Sequence, residues 1–235
     1  MRRAVPAPTD AYAMPPIAVH WVKNNVVAAV ISAVASLCIY GMRQATGGAD
    51  ADAGLPATVI LYATAIALWA FSGSVDGLLT GAVLQRVVPL LPARIWIGLD
   101  AAMTVAVGVG NELAFLTASG DSRIADNGSM GEVLMAGLVA GAAMGAVIGG
   151  LQALVLRKAA LGTGTWIACT SAAFAIVLCV FAIAGRLWDT GGGLAGELAN
   201  QAVAVLSSAI IALVTLPALR RLRSPLLSRA GQHFS

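Results

Sequence analysis

Six long apolar stretches constrain the fold of this chain more than any other feature of its sequence. A helix of about 20 apolar residues crosses the hydrocarbon of a bilayer, and each stretch is close to that length or longer. The stretches are Asn24 to Met42, Leu55 to Leu84, Ile95 to Ala118, Met130 to Leu156, Thr165 to Ala184 and Leu194 to Leu219. We therefore predict an all-α, polytopic membrane bundle of six transmembrane helices.

The composition favours lipid over water or nucleic acid as the main partner. Hydrophobic residues make up 59% of the 235 residues and charged residues 11%, whereas a soluble domain averages about 25% charged residues. The net charge is +3, but the basic residues lie in short flanks between the apolar stretches. In membrane proteins such flanks are topology signals. We expect contact with the lipid bilayer and none with nucleic acid.

The distribution of Lys and Arg predicts the orientation of the bundle. Eleven of the 14 basic residues fall on one side of the predicted membrane, and short loops rich in Lys and Arg stay in the cytoplasm. They are Arg2, Arg3, Lys23, Arg86, Arg94, Arg157, Lys158, Arg220, Arg221, Arg223 and Arg229. The other side holds Arg43, Arg123 and Arg186. We predict a bacterial inner-membrane protein with both termini in the cytoplasm.

Three regions follow from this topology. Residues 1–23 form a cytoplasmic N-terminal segment, residues 24–219 the transmembrane domain, and residues 220–235 a basic cytoplasmic tail. Because the inner leaflet of a bacterial membrane carries anionic lipid, the tail is expected to contact lipid headgroups.

A weak internal repeat runs along the chain. Trp-Val or Trp-Ile opens each predicted outward-going helix, at Trp21, Trp96 and Trp166, and basic residues close each inward-going one. Membrane interfaces favour Trp and Arg, which is one explanation of the pattern. The other is duplication of an ancestral hairpin, which transporter folds often show. On that interpretation the bundle is built from three tandem helical hairpins.

Glycines recur at every fourth position in two of the stretches. The second predicted helix carries Gly73, Gly77 and Gly81, and the fourth carries Gly137, Gly141, Gly145 and Gly149. Such a series forms a flat ridge on one helix face, where another backbone can approach closely. We predict tight helix packing at both ridges, of the glycine-zipper kind, and expect the ridges to line the interior of the bundle.

Asp76 is the main candidate for a functional residue. It lies eight residues before Leu84, which is about 12 Å along a helix and therefore well inside the membrane. A charge in hydrocarbon costs at least a few kcal/mol, so an acid there suggests function. Ser72 and Thr80 lie one turn on either side of it. We expect Asp76 to face the interior, either protonated or bound to a cation or water, or simply to join two helices.

Further polar residues border this candidate site. Asp100 lies six residues after Arg94 and is expected to pair with Arg86 or Arg94, and Asn111 falls close to the same helix face. Glu197, Asn200 and Gln201 begin the sixth helix and suggest either an interfacial cap or a vestibule. Asp76, Ser72, Thr80, Asp100 and Asn111 together form the predicted intramembrane polar or ion site.

Motifs for catalysis, metal binding and cofactor binding are missing from the sequence. Both histidines, His20 and His233, lie outside the predicted spans, which argues against haem, zinc and Ser-His chemistry within the bundle. A P-loop and a C-x-x-C motif are also missing. We therefore expect no enzymatic activity, cofactor or metal.

The glycine-rich helix, the Leu-Gln turn with basic residues and the following Trp-Ile resemble small bacterial multi-pass membrane proteins whose function is uncharacterised. The resemblance covers about residues 73 to 185 and implies no activity. Two hypotheses remain: a transport component for a small solute, ion or proton that uses Asp76, and a non-catalytic accessory or assembly subunit of a larger membrane complex. Self-association or other membrane subunits are the expected protein partners.

Overall fold

The computed structural model describes residues 14–45, 55–118, 129–187 and 193–222, and within them the chain forms six helices joined by short turns. The helices are α1 (Met14–Ala45), α2 (Leu55–Val87), α3 (Ala93–Ala118), α4 (Met130–Leu156), α5 (Thr163–Leu187) and α6 (Gly193–Arg221). All six are long and apolar enough to cross a membrane. This confirms the prediction of an all-helical, multi-pass membrane architecture. The arrangement as tandem hairpins stays a prediction.

The start of α1 is the largest departure from the predicted boundaries. The helix begins at Met14 rather than at Asn24, so it includes part of the predicted N-terminal segment. Pro15 and Pro16 fall in its first turn, where a missing backbone N–H costs nothing because the first N–H groups of a helix have no helical partner. The other boundaries lie within about three residues of those predicted.

The helices form a ring. Each packs against its neighbours in the chain, and α6 returns to pack against α1. The most extensive contacts join α4 to α5 and α2 to α3, and the smallest of these interfaces joins α3 to α4. The ring is therefore made of closely packed pairs that meet along a loose seam between α3 and α4.

The glycine ridges create the two closest interfaces. A methyl group on Gly73 would lie 2.7 Å from the backbone oxygen of Asp100 in α3, and one on Gly145 would lie 2.6 Å from that of Thr170 in α5. Only a residue without Cβ permits this approach. The two ridges face the neighbouring helix of their pair, and their glycines do not lie on the wall of the central cavity.

The hydrophobic core lies where α2, α4 and α6 end and α3 and α5 begin, which we call the tryptophan end. Trp21, Trp96 and Trp166 are buried there beneath Leu84 and Leu156. The turn from α4 to α5 crosses this end through Gly162, whose φ is +86° and whose Cα faces the backbone oxygen of Arg221. Glycine is favoured at this position both for its left-handed φ and for the close approach.

Exposed basic side chains surround the tryptophan end. They are Lys23, Arg86, Arg94, Arg157, Lys158, Arg220 and Arg221. Within the described ranges this end carries no exposed Asp or Glu. Of the other seven basic residues used to predict the orientation, Arg43 and Arg186 lie in the last turns of α1 and α5, and Arg2, Arg3, Arg123, Arg223 and Arg229 lie outside the described ranges.

Candidate functional site

A cavity of about 360 Å³ lies inside the ring and receives side chains from all six helices. Along α1 its wall runs from Trp21 to Ser36, a rise of about 22 Å at 1.5 Å per residue. Polar side chains are spread along this length: Asn25, Ser32, Ser36, Asp76, Thr80, Asp100, Thr104, Gln152, Thr170, Gln201, Ser208 and Thr215. The cavity is therefore elongated and polar, although it lies within helices whose outer surfaces are apolar.

Three tryptophans form the floor of the cavity. The ring of Trp166 lies edge to face with Trp21, at a centroid distance of 5.9 Å, and with Trp96, at 6.1 Å. Each indole N–H donates a hydrogen bond to a side chain of the helix that precedes its own in the ring. Trp21 donates to Thr215 Oγ1 at 3.1 Å, Trp96 to Thr80 Oγ1 at 3.1 Å and Trp166 to Gln152 Oε1 at 2.9 Å. These bonds hold the floor rigid and close the cavity at the tryptophan end.

The three indole acceptors occupy corresponding positions in α2, α4 and α6. Thr80, Gln152 and Thr215 each lie six residues before a basic residue, namely Arg86, Lys158 and Arg221. Sequence analysis found the tryptophans and the basic residues but missed Gln152 and Thr215 as site residues. The constant spacing between a polar residue and the basic helix end was the signal that could have found them.

Asp100 lies at the centre of a network that joins four helices. Its Oδ1 accepts a hydrogen bond of 3.3 Å from Gln152 Nε2 in α4, and its Oδ2 lies 3.5 Å from the hydroxyl of Thr80 in α2. Gln152 in turn accepts from Trp166 in α5. The expected ion pair with Arg86 or Arg94 is wrong, because both arginines are exposed and the buried carboxyl of Asp100 is bound by these neutral groups instead.

Asp76 lies on the cavity wall one turn from Thr80. Its backbone oxygen accepts the Thr80 hydroxyl at 2.8 Å. Within the described part of the chain, its carboxyl group has no hydrogen-bond or ion-pair partner, and no Lys, Arg or His lines the cavity. The two carboxyls of Asp76 and Asp100 are close enough to interact electrostatically. The carboxyl group of Asp76 is therefore available to bind a molecule or ion in the cavity.

The other predicted polar residues do not all reach this site. Thr80 does, but Ser72 is buried away from the cavity and donates to the backbone oxygen of Trp69 at 3.2 Å. Asn111 is exposed and lies outside the cavity wall. Gln201 lines the cavity and donates to Glu197 Oε1 at 2.6 Å, which places this pair at the end of the cavity away from the tryptophans.

Among residues 14–45, 55–118, 129–187 and 193–222, no three His, Cys, Asp or Glu side chains come together to hold a metal ion. The cysteines Cys38, Cys169 and Cys179 are free thiols. The hydrogen-bonding groups of the cavity are thus hydroxyls, amides, indoles and the two carboxyls.

Comparison with protein-family models, with curated proteins and with solved structures found no match to this chain. The interpretation of the cavity therefore depends on its own geometry and chemistry.

Proposed function

We propose that this protein is a transport component that binds a small solute or ion in its central cavity, with Asp76 as the ionisable contact, and that it has no enzymatic role. The unpartnered carboxyl of Asp76 inside the cavity carries this proposal. An unpaired acid among membrane-spanning helices costs several kcal/mol and is typical of solute or proton pathways.

The size of the cavity fits this role. Small-molecule sites in proteins range from about 300 to 1,000 Å³, and this cavity has about 360 Å³. An apolar cavity of about 150 Å³ holds one benzene molecule, so there is room here for roughly two such rings or an equivalent polar solute. All six helices contribute side chains to the cavity wall, so a shift of one helix pair against another would change access to the solute.

The exposed basic side chains support an orientation with the tryptophan end in the cytoplasm of a bacterial inner membrane. The floor would then close the cavity on the cytoplasmic side, and the end near Gln201 would face the periplasm. Reporter fusions after residues 90 and 160 should indicate the cytoplasm, and those after residues 48 and 125 the periplasm. The reverse result would refute the orientation.

Asp76→Asn tests the function, because it keeps the shape and most hydrogen bonding of the side chain but removes its charge. The protein is reconstituted in liposomes with a trapped pH indicator, and in nanodiscs incubated with an extract of small metabolites. We expect the variant to remain folded and to lose proton flux, solute retention or both by at least about tenfold, the effect of losing one hydrogen bond to a charged group.

Glu132→Gln is the matched control. Glu132 is an exposed acid in the first turn of α4, where it completes a capping box with Ser129 that Gln can also form. Its flux and retention should equal those of the native protein. If Asp76→Asn behaves like this control in both assays, the transport proposal fails. Co-purification with a stoichiometric membrane partner would then favour the accessory-subunit alternative.

A further inference from the structure

The threonine and tryptophan donors on the cavity wall are already used within the protein. Every threonine in the wall donates its hydroxyl to a backbone oxygen of its own helix, and every tryptophan donates its indole N–H to a side chain. Each amide uses one of its two N–H hydrogens within the protein: Asn25 donates to the backbone oxygen of Trp21, Gln152 to Asp100 and Gln201 to Glu197.

The amide orientations are determined by their partners. A backbone oxygen accepts and does not donate, so Asn25 must present its NH₂ group to Trp21 and keep its carbonyl oxygen available. Glu197 likewise receives the NH₂ group of Gln201. An indole N–H can only donate, so Trp166 must face the carbonyl oxygen of Gln152 and its NH₂ group must face Asp100. An occupant of the cavity therefore meets the Asp76 carboxyl and the carbonyl oxygen of Asn25 as acceptors, and the second N–H of each amide as a neutral donor.

Those acceptors cluster near the floor. The Asp76 carboxyl lies one turn before Thr80, and Asn25 lies one turn after Trp21, so both are within about 6 Å of the tryptophan layer along their helices. Asn24 bonds the backbone oxygen of Leu79 at 2.7 Å and holds α1 against α2 beside them. The hydroxyls of Ser32, Ser36 and Ser208 can donate or accept and do not change this balance.

The hydrogen bonds around Asp100 favour a neutral carboxyl for this acid. Thr80 has one hydroxyl hydrogen, which its bond of 2.8 Å to the Asp76 backbone oxygen uses, while Trp96 donates to one of its lone pairs. With that hydrogen used, the Thr80 oxygen presents a lone pair to Asp100 Oδ2 at 3.5 Å, a contact that is longer than a usual O–H···O bond and suits a neutral carboxyl better than a charged one. A neutral Asp100 satisfies every group in the network, with Gln152 donating to its other oxygen.

We propose that the cavity selects a small organic monocation with N–H donors, such as a primary ammonium, which pairs with the single negative charge of Asp76 while Asp100 stays neutral. This inference depends on the proposed solute-binding function and gives it a substrate class. An anion would meet a carboxylate and carbonyl oxygens with no basic side chain on the wall. A neutral alcohol would leave the charge of Asp76 unpaired, and a quaternary ammonium would leave the acceptors without hydrogen bonds.

Four probes that each carry a phenyl ring on a short chain separate cations, neutral alcohols and anions: 2-phenylethylammonium, its N,N,N-trimethyl derivative, 2-phenylethanol and phenylacetate. Binding to the full-length protein in nanodiscs is measured by calorimetry and by the fluorescence of the floor tryptophans. We expect 2-phenylethylammonium to bind at least about tenfold more tightly than the trimethyl derivative and the alcohol, and phenylacetate not to bind. Asp76→Asn should remove this preference, and Glu132→Gln should keep it.

Asp100→Asn tests the assignment of the proton, because an amide can donate to Thr80 and accept from Gln152 as a neutral acid does. It should lower the ammonium affinity by less than about threefold, far less than Asp76→Asn. Equal losses in the two variants would overturn the monocation assignment. Failure of 2-phenylethylammonium to bind, or binding of phenylacetate as tight as that of the ammonium, would overturn the substrate class. The proposed function would survive either result if flux or metabolite retention still required Asp76.

Discussion

The helix pairs α2/α3 and α4/α5 stand on either side of the loose seam in the ring and pack through corresponding atoms. Gly73 faces the backbone oxygen of Asp100 and the Cα of Ala101, and Gly145 faces those of Thr170 and Ser171. One turn further on, Gly77 and Gly149 face the Cα atoms of Ile97 and Ile167. The two pairs therefore share one backbone geometry.

Their cavity-facing side chains differ. Asp76, four residues before the indole acceptor Thr80, corresponds to Ile148, four residues before Gln152. Asp100, four residues after Trp96, corresponds to Thr170, four residues after Trp166. Both carboxyls of the cavity thus belong to the α2/α3 pair. The comparison shows that the glycines specify the scaffold, whereas a few inward positions specify the chemistry and can change without altering the packing.

The largest loss of stability is expected from substitutions in the glycine ridges, which the two helix pairs have in common. Gly73→Leu and Gly145→Leu should each lower the free energy of unfolding by about 3 kcal/mol or more, because the new side chain overlaps a neighbouring backbone that cannot move aside. Thermal unfolding in detergent measures this loss. Gly98→Ala in α3 and Gly150→Ala in α4 are controls, since a methyl group there meets no atom within 4 Å. Tolerance of Leu in one pair alone would break the correspondence between the pairs.

An intermediate loss of stability is expected at the hydrogen bond between Gln152 and Asp100, which joins the two pairs. Gln152→Leu leaves the N–H of Trp166 and one oxygen of Asp100 without partners, which should cost about 2 kcal/mol. Combined with Asp100→Leu, which removes the acceptor of the Gln152 amide, its effect should be non-additive by about 1 kcal/mol because the two native side chains share a hydrogen bond. Thr215→Val lies in the remaining pair, α6/α1, and should add to Gln152→Leu without coupling. Additivity in the first combination would show that the network does not connect the pairs.

The smallest change in stability is expected at two buried serines, one in α2 and one in α6. Ser72 and Ser207 each lie eight residues before an indole acceptor, and both are buried. Ser72 bonds the oxygen of Trp69, whereas the Ser207 hydroxyl has no partner among the described residues. Ser207→Ala should therefore raise stability by about 1 kcal/mol, and Ser72→Ala should lower it by about 0.5 to 1 kcal/mol. Thermal unfolding compares the two, and equal signs would contradict this difference.

The positions of the helices could be predicted from the sequence alone. The limits of α2 to α6 follow from where apolar residues give way to charge, glycine or proline, because burial in lipid depends on composition and length alone. It also predicted close packing at the glycines, because a face without Cβ atoms at every fourth position has few other uses in lipid. Asp76 could be singled out for the same reason, since a charge in hydrocarbon is costly wherever the helix faces.

Which of these polar residues contact one another depends on the tertiary structure. Helical periodicity places Asp76 and Ser72 one turn apart, yet Asp76 lines the cavity whereas Ser72 donates to the backbone oxygen of Trp69 in its own helix. The partners of Asp100 lie 20 residues away, at Thr80, and 52 residues away, at Gln152. Contacts across such distances depend on how the ring closes, which local composition does not encode. The cavity exists for the same physical reason, since it is the space left when six helices pack side by side around small residues.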